Sequence, residues 1–308
     1  MTTAIWWHDE CLGHVTPPGH PERVDRLAAI RSALPVQGVS WRDMPLAGRE
    51  EVLRCHPARY VDWIAGVVPD QGWERLDGDT YMSPGTLTAA LRAVGGMAAA
   101  VDAVLAGEVT NGFVAARPPG HHAETERPMG FCLFGTVAIG AKRALDHHGL
   151  TRVAVVDFDV HHGNGTQDLL WTEDRVMFAS SHQMPLYPGS GRPEERGAHG
   201  QIINVPLRPG TGGAEMRASY DDIILPELEE FQPELILVSA GFDAHAADPL
   251  AHLDWTEDDF AWLTHRLCDL AEAHCGGRLV STLEGGYDLD ALAASVAAHV
   301  NVLKERGG

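Results

Sequence analysis

Ionisable side chains follow two apolar runs of the chain, at 152–158 and 235–240. Asp159 and His161 come at the end of the first run, and Asp243 follows the second. On extended backbone, residues two apart point to the same side, so Asp159 and His161 are able to share a metal ion. Two carboxylates and one imidazole leave a zinc ion an open position, as a catalytic site requires. Without Asp243, the first pair would more often be a helix cap and a loop histidine.

Two other segments carry groups suited to proton transfer and charge stabilisation. His121 and His122 follow a Pro-Pro-Gly turn, and histidine has the side-chain pKa nearest to neutrality. Two carboxylate ligands leave a metal-bound water less acidic than imidazole ligands do, so a separate base is needed. Tyr287 follows two glycines and carries a hydroxyl suited to holding an oxyanion. On its own, the histidine pair is compatible with chance among 17 histidines, and Tyr287 with a helix-capping turn.

The elements that must position these residues alternate along the chain between strand-like and helix-like segments. β-rich apolar runs predict seven buried strands, at 4–7, 112–116, 152–158, 176–180, 202–205, 235–240 and 278–283. Helical composition predicts five helices, at 86–105, 136–148, 214–231, 256–274 and 289–304. This alternation is typical of βαβ units around a parallel sheet, and the polar segments fall at the strand carboxyl ends, where such sheets bind ligands. No linker divides the chain, so we expect one domain.

Five segments together resemble the zinc-dependent histone deacetylase family, specifically its class II and bacterial deacetylase-like amidohydrolase branch. They are RPPGHHA at 117–123, GFC at 130–132, DFDVHHGNGTQ at 157–167, SAGFDAH at 239–245 and LEGGY at 283–287. With His8-Asp9 and the HPER segment at 20–23, the resemblance covers nearly the whole chain. It implies the α/β arginase/deacetylase fold, a single catalytic domain over residues 1–308 with a central eight-stranded parallel sheet flanked by helices.

The resemblance also implies roles for single residues. Asp159, His161 and Asp243 match the zinc ligands of the family, and His121 and His122 match its proton-transferring pair. Tyr287 matches the tyrosine that polarises the substrate carbonyl. Asp157 and Asn164 match the groups that orient His121 and His122, respectively. We expect His122 to be the base and the final acid. His121, beside the Asp157 carboxylate, is then an electrostatic partner that stays largely protonated.

Further positions match cation sites and the substrate tunnel of the family. Asp157 and Ser180, with the backbone carbonyls of Asp159, His161 and Ser181, fall where the family binds structural potassium, and Leu170, Glu173 and Val176 fall at a second such site. Gly130, Phe131 and Tyr187 match the tunnel walls for an acyl-lysine chain, and Leu250 lies in an aligned substrate-binding loop. Aromatic walls suit the apolar stem of a lysine.

Charge and composition exclude several classes of function. Lys and Arg total 23 against 43 Asp and Glu, a net charge of −20, which repels nucleic acids and anionic membranes. The five cysteines form no C-x-x-C pair, which fits a reducing compartment. The first ten residues lack a signal-peptide pattern, and no window has 18 uninterrupted apolar residues. We expect a soluble cytoplasmic protein, free of nucleic-acid and membrane partners and compatible with a homo-oligomer.

These observations predict a zinc-dependent amidohydrolase that removes acetyl or other acyl groups from acyl-lysine or a related acylated amine. An acetylpolyamine amidohydrolase is the alternative, because the net charge also attracts polycations; Leu250 stands where the polyamine-selective eukaryotic relative has an acidic residue, which favours acyl-lysine. A binuclear manganese ureohydrolase would need further carboxylates where Gly163 and His245 stand. An inactive binding module of the same fold would have lost at least one catalytic group, and none is lost.

Overall fold

Strands and helices alternate through the computed structural model, which describes residues 2–34 and 37–308. In those residues the strands are β1 (Thr3–Trp7), β2 (Ser40–Asp43), β3 (Glu74–Arg75), β4 (Tyr81–Met82), β5 (Asn111–Val114), β6 (Val153–Asp157), β7 (Val176–Gln183), β8 (Ile202–Leu207), β9 (Leu235–Ala240) and β10 (Leu279–Leu283). Eight of them form one parallel sheet in the order β2-β1-β5-β10-β9-β6-β7-β8, and β3 pairs with β4 in an antiparallel hairpin. The expected α/β fold with a central eight-stranded parallel sheet is confirmed.

Helices cover this sheet. They are α1 (Asp25–Ala33), α2 (Arg49–Val52), α3 (Ala58–Gly66), α4 (Thr86–Leu105), α5 (Thr136–Asp146), α6 (Asn164–Leu170), α7 (Gly213–Ser219), α8 (Leu225–Phe231), α9 (Glu257–Cys275) and α10 (Leu289–Arg306), with a 3₁₀ turn at Asp9–Gly13 and a π-helical turn at Tyr220–Ile224. Helix α4 packs against α5, and α1 and α9 both pack against α10. Every residue of β6 and β9 is buried, as expected for parallel strands covered on both faces.

The sequence pattern missed one strand of the sheet. All seven predicted strands are present, but β2 was not predicted. Its four residues, SWRD, are polar or only half buried, because β2 is an edge strand that pairs with β1 alone. An edge strand does not need the continuous apolar run that marks a buried parallel strand.

The predicted helix at 214–231 is present, but a π-helical turn interrupts its regular α-helical geometry. The structure divides it into α7, a π-helical turn and α8. Pro226 is the physical reason, because its ring nitrogen cannot donate the helical hydrogen bond four residues back, and the backbone widens locally into a π turn. The other four predicted helices are present, and α9 begins at Glu257 because Thr256 caps it in a capping box with Asp259.

Helix α4 is the one helix of the described residues with the length and hydropathy of a membrane span. Its mean hydropathy is 1.4, but 67% of that window is buried inside the protein. The helix packs on α5 and on the sheet, so its apolar surface belongs to the core.

The sheet order explains how distant segments meet. Strands β5, β10, β9 and β6 are consecutive neighbours in the sheet, and all run in the same direction. Their carboxyl ends therefore lie side by side at one edge. The segments that follow these four strands are those in which the sequence pattern places the candidate catalytic and metal-binding residues.

A buried histidine in α10 makes the stability of the core depend on pH. The imidazole of His299 lies 2.7 Å from the Thr264 hydroxyl and 2.8 Å from the Ser281 hydroxyl, and Phe113 and Phe242 pack against its ring. Burial lowers the pKa of His299 from 6.5 to about 3. The folded state therefore keeps this ring neutral at a pH where the unfolded chain binds a proton.

We predict that His299 makes the free energy of unfolding fall as the pH is lowered from 6.5 towards 3. Below the unfolded pKa, the unfolded state binds one more proton than the folded state, which costs about 1.4 kcal/mol of stability per pH unit. In urea titrations of wild type and His299→Gln at several pH values, the difference between the two proteins should narrow as the pH falls. A difference that does not vary with pH would contradict the prediction.

Candidate active site

Asp159, His161 and Asp243 converge on one point beyond the carboxyl ends of β6 and β9. Each offers one ligand atom, and these atoms lie within 4.8 Å of one another. Nδ1 of His161 is 3.1 Å from Oδ1 of Asp159 and 3.1 Å from Oδ2 of Asp243. Both carboxylates are fully buried. The structure brings together the three residues that the sequence predicts to be metal ligands.

Backbone amides hold the two carboxylates in place. Asp159 accepts hydrogen bonds from the N–H groups of His161 at 2.8 Å and Gly285 at 2.8 Å, and Asp243 accepts one from Val160 at 2.9 Å. Burial and the charge of Asp159 raise the pKa of Asp243. Two buried carboxylates this close require a positive charge between them, which makes the triad suited to a divalent cation.

The glycine that follows Glu284 leaves space for these oxygens. A Cβ atom on Gly285 would lie 2.1 Å from Oδ2 of Asp243 and 2.6 Å from Oδ2 of Asp159. Both distances are shorter than van der Waals contact allows, so any side chain here would push the carboxylates apart. Glycine at position 285 is therefore required for the Asp159 and Asp243 carboxylates to lie this close together.

His121 and His122 lie beside the triad, with their ring centroids 4.0 Å apart. His121 Nδ1 is 3.0 Å from Oδ2 of Asp157, and His122 Nδ1 is 2.7 Å from Oδ1 of Asn164. The amide nitrogen of Asn164 donates to Glu124 at 2.8 Å, so its oxygen is the atom that faces His122. His122 Nδ1 must then be the donor, which leaves Nε2 as the nitrogen able to accept a proton.

The two histidines differ in charge environment. Burial disfavours the protonated form of His121, but the Asp157 and Asp159 carboxylates outweigh it and raise the pKa of His121 well above its ordinary value. For His122, burial and the neighbouring imidazoles of His121 and His161 lower the pKa well below the ordinary value. His122 is thus the neutral member of the pair.

Residues from two other segments hold Tyr287 and its loop. Its N–H donates to Oδ2 of Asp248 at 2.7 Å. Arg26 donates to the carbonyl oxygens of Gly286 and Glu284, both at 2.6 Å, and its guanidinium lies 5.0 Å from the centre of the Tyr287 ring. Burial and the nearby Asp243 raise the pKa of Tyr287 well above its ordinary value, so the hydroxyl remains a donor.

A cavity of about 400 Å³ leads to this cluster. Its walls are mainly aromatic and apolar, and two histidines of the cluster form part of the lining. The lining residues are His20, Pro21, Gly78, Asp79, Tyr81, His122, Gly130, Phe131, His161, Leu186, Tyr187, Leu250 and Tyr287. All four predicted substrate-binding residues, Gly130, Phe131, Tyr187 and Leu250, therefore line one cavity with Tyr287. His121 does not belong to this lining.

Comparison with known proteins agrees with this geometry. A family profile described as the histone deacetylase domain matches residues 20–303. The chain belongs to the histone deacetylase family. It is 42% identical over 299 residues to a probable deacetylase of Archaeoglobus fulgidus, covering 94% of this chain and 82% of that protein. It is also 42% identical over 310 residues to a histone deacetylase-like amidohydrolase of Pseudomonas aeruginosa, covering 92% of this chain and 81% of that protein.

A solved structure of the histone deacetylase family has the same fold. The crystal structure of the HDA15 HD domain superposes with a TM-score of 0.92 at 33% identity. The match covers 99% of this chain and 89% of that one. The resemblance to the family and the expected fold are confirmed, and the relatives support a hydrolase of the deacetylase type.

Several residues of this histone deacetylase site were not found by sequence reasoning. His20, Asp79, Tyr81 and Leu186 line the cavity, and Arg26 holds the Tyr287 loop from 260 positions away in the chain. Asp79 and Tyr81 lie in or beside the β3–β4 hairpin, which has no periodic apolar run to mark it. Of these residues only His20 lies in a segment that the sequence analysis singled out, the HPER segment at 20–23, and that segment was not assigned to the cavity.

The prediction that Asp159 and His161 lie on extended backbone is wrong, although their ligand atoms do lie close together. Asp159 and His161 are not on extended strand, because β6 ends at Asp157 and the backbone bends after it. They face each other across that bend, where the N–H of His161 bonds to Asp159.

Ser180 lies opposite Asp157 in the register of β6 and β7, so the two side-chain positions named for potassium are neighbours.

We predict that Gly285→Ala abolishes metal binding without unfolding the protein. The three atoms nearest to the added Cβ all belong to the carboxylates of Asp243 and Asp159, so the clash falls on the metal ligands. Metal content by elemental analysis should fall to near zero in this variant while its melting temperature stays close to that of wild type. Gly66→Ala is the matched control, because a Cβ there has no heavy atom within 4 Å. Stoichiometric metal in Gly285→Ala would show that the space at position 285 is not needed for metal binding.

Proposed function

We propose that the protein is a zinc-dependent deacetylase that hydrolyses an acylated amine, with the acyl-lysine side chain as its substrate class. One observation carries the proposal. The buried triad of Asp159, His161 and Asp243 lies next to a cavity of about 400 Å³ that His122 and Tyr287 also line. The ligand His161, the base His122 and Tyr287 therefore face one space, which supports binding of the acylated side chain there.

The donor set of the triad fits zinc. One imidazole nitrogen and two carboxylate oxygens are ligands that zinc takes in catalytic sites, and the three of them leave a position free. Zinc bound by these residues would acidify a water molecule and polarise the carbonyl of the scissile amide. The protein contributes the fixed positions of the ligands; the backbone N–H groups of Val160 and Gly285 hold the carboxylates of Asp243 and Asp159.

His122 is the proposed proton carrier. Its ring lines the cavity, and Asn164 occupies Nδ1, so Nε2 takes a proton from the attacking water and returns it to the leaving amine. His121 stays protonated against Asp157 and stabilises negative charge that develops nearby. The asymmetry of their partners, a carboxylate for one ring and an amide for the other, is what separates the two roles.

Tyr287 is the proposed electrophile. Its hydroxyl donates to the carbonyl oxygen of the substrate as that oxygen gains negative charge in the transition state. Asp248 and Arg26 hold its backbone and its loop. The hydroxyl is therefore positioned before the substrate arrives, which reduces the reorganisation that the reaction requires.

The cavity walls support an acylated primary amine as the substrate. Phe131, Tyr187 and Leu250 offer apolar surface for a methylene chain. Asp79 also lines the cavity, and a carboxylate there favours a second positive charge on the substrate. For this reason an acetylpolyamine is the second candidate, whereas Leu250 in place of an acidic residue favours acyl-lysine.

We also propose a structural potassium ion at Asp157 and Ser180. Both side chains are fully buried, and Asp157, the last residue of β6, lies opposite Ser180 within β7. Hard oxygen donors of this kind suit an alkali cation. Elemental analysis of protein prepared in sodium buffer would detect it as retained potassium.

We predict that the purified protein binds one zinc ion per chain and releases acetate from acetyl-lysine peptides. Tyr287→Phe should keep the zinc and lose about 10²–10³-fold in kcat, because one oxyanion donor is removed. Asp243→Ala should lose both the zinc and the activity. Zinc by elemental analysis and acetate release, measured on the same samples, check all three expectations.

Parallel assays separate the competing functions. Faster turnover of acetylspermidine than of acetyl-lysine peptide would favour the polyamine candidate. Two manganese ions per chain would contradict the zinc site, and zinc bound without turnover of any acylated amine would identify a binding module instead.

We predict that His122→Ala lowers kcat/KM more than His121→Ala. His122 lines the cavity and has a free Nε2, whereas His121 is bound to Asp157 behind it. Loss of a general base typically costs about 10²–10⁴-fold in rate. Steady-state kinetics of both variants at equal zinc content make the comparison, and a more severe loss in His121→Ala would reverse the assigned roles.

A further inference from the structure

One buried carboxylate beside the site is not used in the chemistry proposed above. Glu284 follows β10 directly, and its side chain is fully buried. Oε2 accepts hydrogen bonds from the backbone N–H of Gly120 at 2.7 Å and of His121 at 3.1 Å. Oε1 accepts one from the Ser239 hydroxyl at 3.0 Å. All three donors are neutral groups, two backbone N–H groups and one hydroxyl, so the carboxylate serves as an acceptor of hydrogen bonds.

The partners of Glu284 come from two different strands. Gly120 and His121 lie in the segment after β5, and Ser239 lies in β9. Strand β10, which carries Glu284, runs between β5 and β9 in the sheet. The carboxylate therefore ties together three neighbouring strand ends at the edge where the site lies.

The backbone around Glu284 is fixed on the side of the metal triad. Its N–H donates to the carbonyl oxygen of Ala240 at 3.0 Å, and the next N–H, that of Gly285, donates to Asp159 at 2.8 Å. Arg26 holds its carbonyl oxygen. The side chain of Glu284 thus extends from a backbone that is bound to the triad towards a turn that carries the histidine pair.

A carboxylate is an expensive group to bury, and an apolar side chain of the same size would suit the core better. An apolar residue would, however, leave the N–H groups of Gly120 and His121 without an acceptor. What Glu284 supplies is therefore a fixed distance between the turn at 120–122 and the triad.

We propose that Glu284 is a positioning residue that sets the distance from His121 and His122 to the reacting centre. The inference rests on the proposed function. A displacement of about 1 Å in a catalytic group costs on the order of 10²-fold in rate, so the hydrogen bonds of Glu284 act on kcat. Gly120, His121 and Ser239, which form these hydrogen bonds, do not line the cavity, so we expect KM to change much less than kcat.

Two substitutions separate the reach of this side chain from its charge. Glu284→Gln keeps the length; its oxygen accepts both N–H bonds, and its NH₂ group donates to Ser239, whose hydroxyl oxygen accepts. Glu284→Asp keeps the charge but is one methylene shorter and cannot reach the two amides. Ser239→Ala is the matched control, because it removes the third hydrogen bond and leaves both amide bonds.

Kinetics with acetyl-lysine peptide should rank the variants by reach. We expect kcat within about 3-fold of wild type for Glu284→Gln and Ser239→Ala, and a loss of about 10–100-fold for Glu284→Asp with KM and zinc content unchanged. Equal activity of Glu284→Asp and wild type would overturn the proposal. A loss in Glu284→Gln as large as that in Glu284→Asp would also overturn it, because charge would then be the property that matters.

Crystal structures of the variants test the same inference without turnover. The backbone at 120–122 should be displaced in Glu284→Asp and unchanged in Glu284→Gln. If wild type hydrolyses no acylated amine, the proposed function fails, and this displacement alone decides the inference about Glu284. If Glu284→Asp does not fold, Glu284→Met replaces it, since it fills a similar volume without an acceptor, and the same loss and displacement are expected.

Discussion

The approach of Asp159 to Asp243 is the constraint on which the site depends. Both carboxylates are buried, and each has an oxygen 3.1 Å from the same imidazole nitrogen. Two negative charges held together away from water repel strongly, because little solvent screens them. The chain compensates with backbone N–H donors from Val160 and Gly285 and with the missing side chain at Gly285. A divalent cation would complete that compensation, so the arrangement is suited to one.

Hydrogen bonds from carboxylates to backbone amides connect the loops of the site to one another. Asp159 binds the N–H of Gly285, Asp248 binds that of Tyr287, and Glu284 binds that of His121. In each case the acceptor and the donor belong to segments after different strands. Because β5, β10, β9 and β6 are neighbours and parallel, these bonds are short even where the residues are far apart in the chain. The sheet brings the loops close, and the carboxylates fix their relative positions.

The parts of the structure that were predictable from sequence are those with a local signal. Strands such as β9 are buried on both faces, so they read as apolar runs, and Asp243 could be placed beyond the end of one. The edge strand β2 and the hairpin residue Tyr81 have no such pattern. Arg26 was missed because its role depends on contacts with Glu284 and Gly286, which only the folded chain brings together. The family resemblance supplied the eighth strand that periodicity did not show.

The residues that line the cavity come from two separate parts of the fold. His161 and Tyr287 follow strands of the central sheet, whereas Asp79 and Tyr81 lie in or beside the β3–β4 hairpin, a two-stranded sheet of its own. The hydrogen-bond partners of the two buried carboxylates are Val160, His161 and Gly285, none of which belongs to the hairpin. Met82 of the hairpin is buried in the core, whereas Asp79 and Tyr81 line the cavity. Selectivity can therefore change during evolution through the cavity-lining residues of this short segment, while its buried residue and the chemistry of the site are kept.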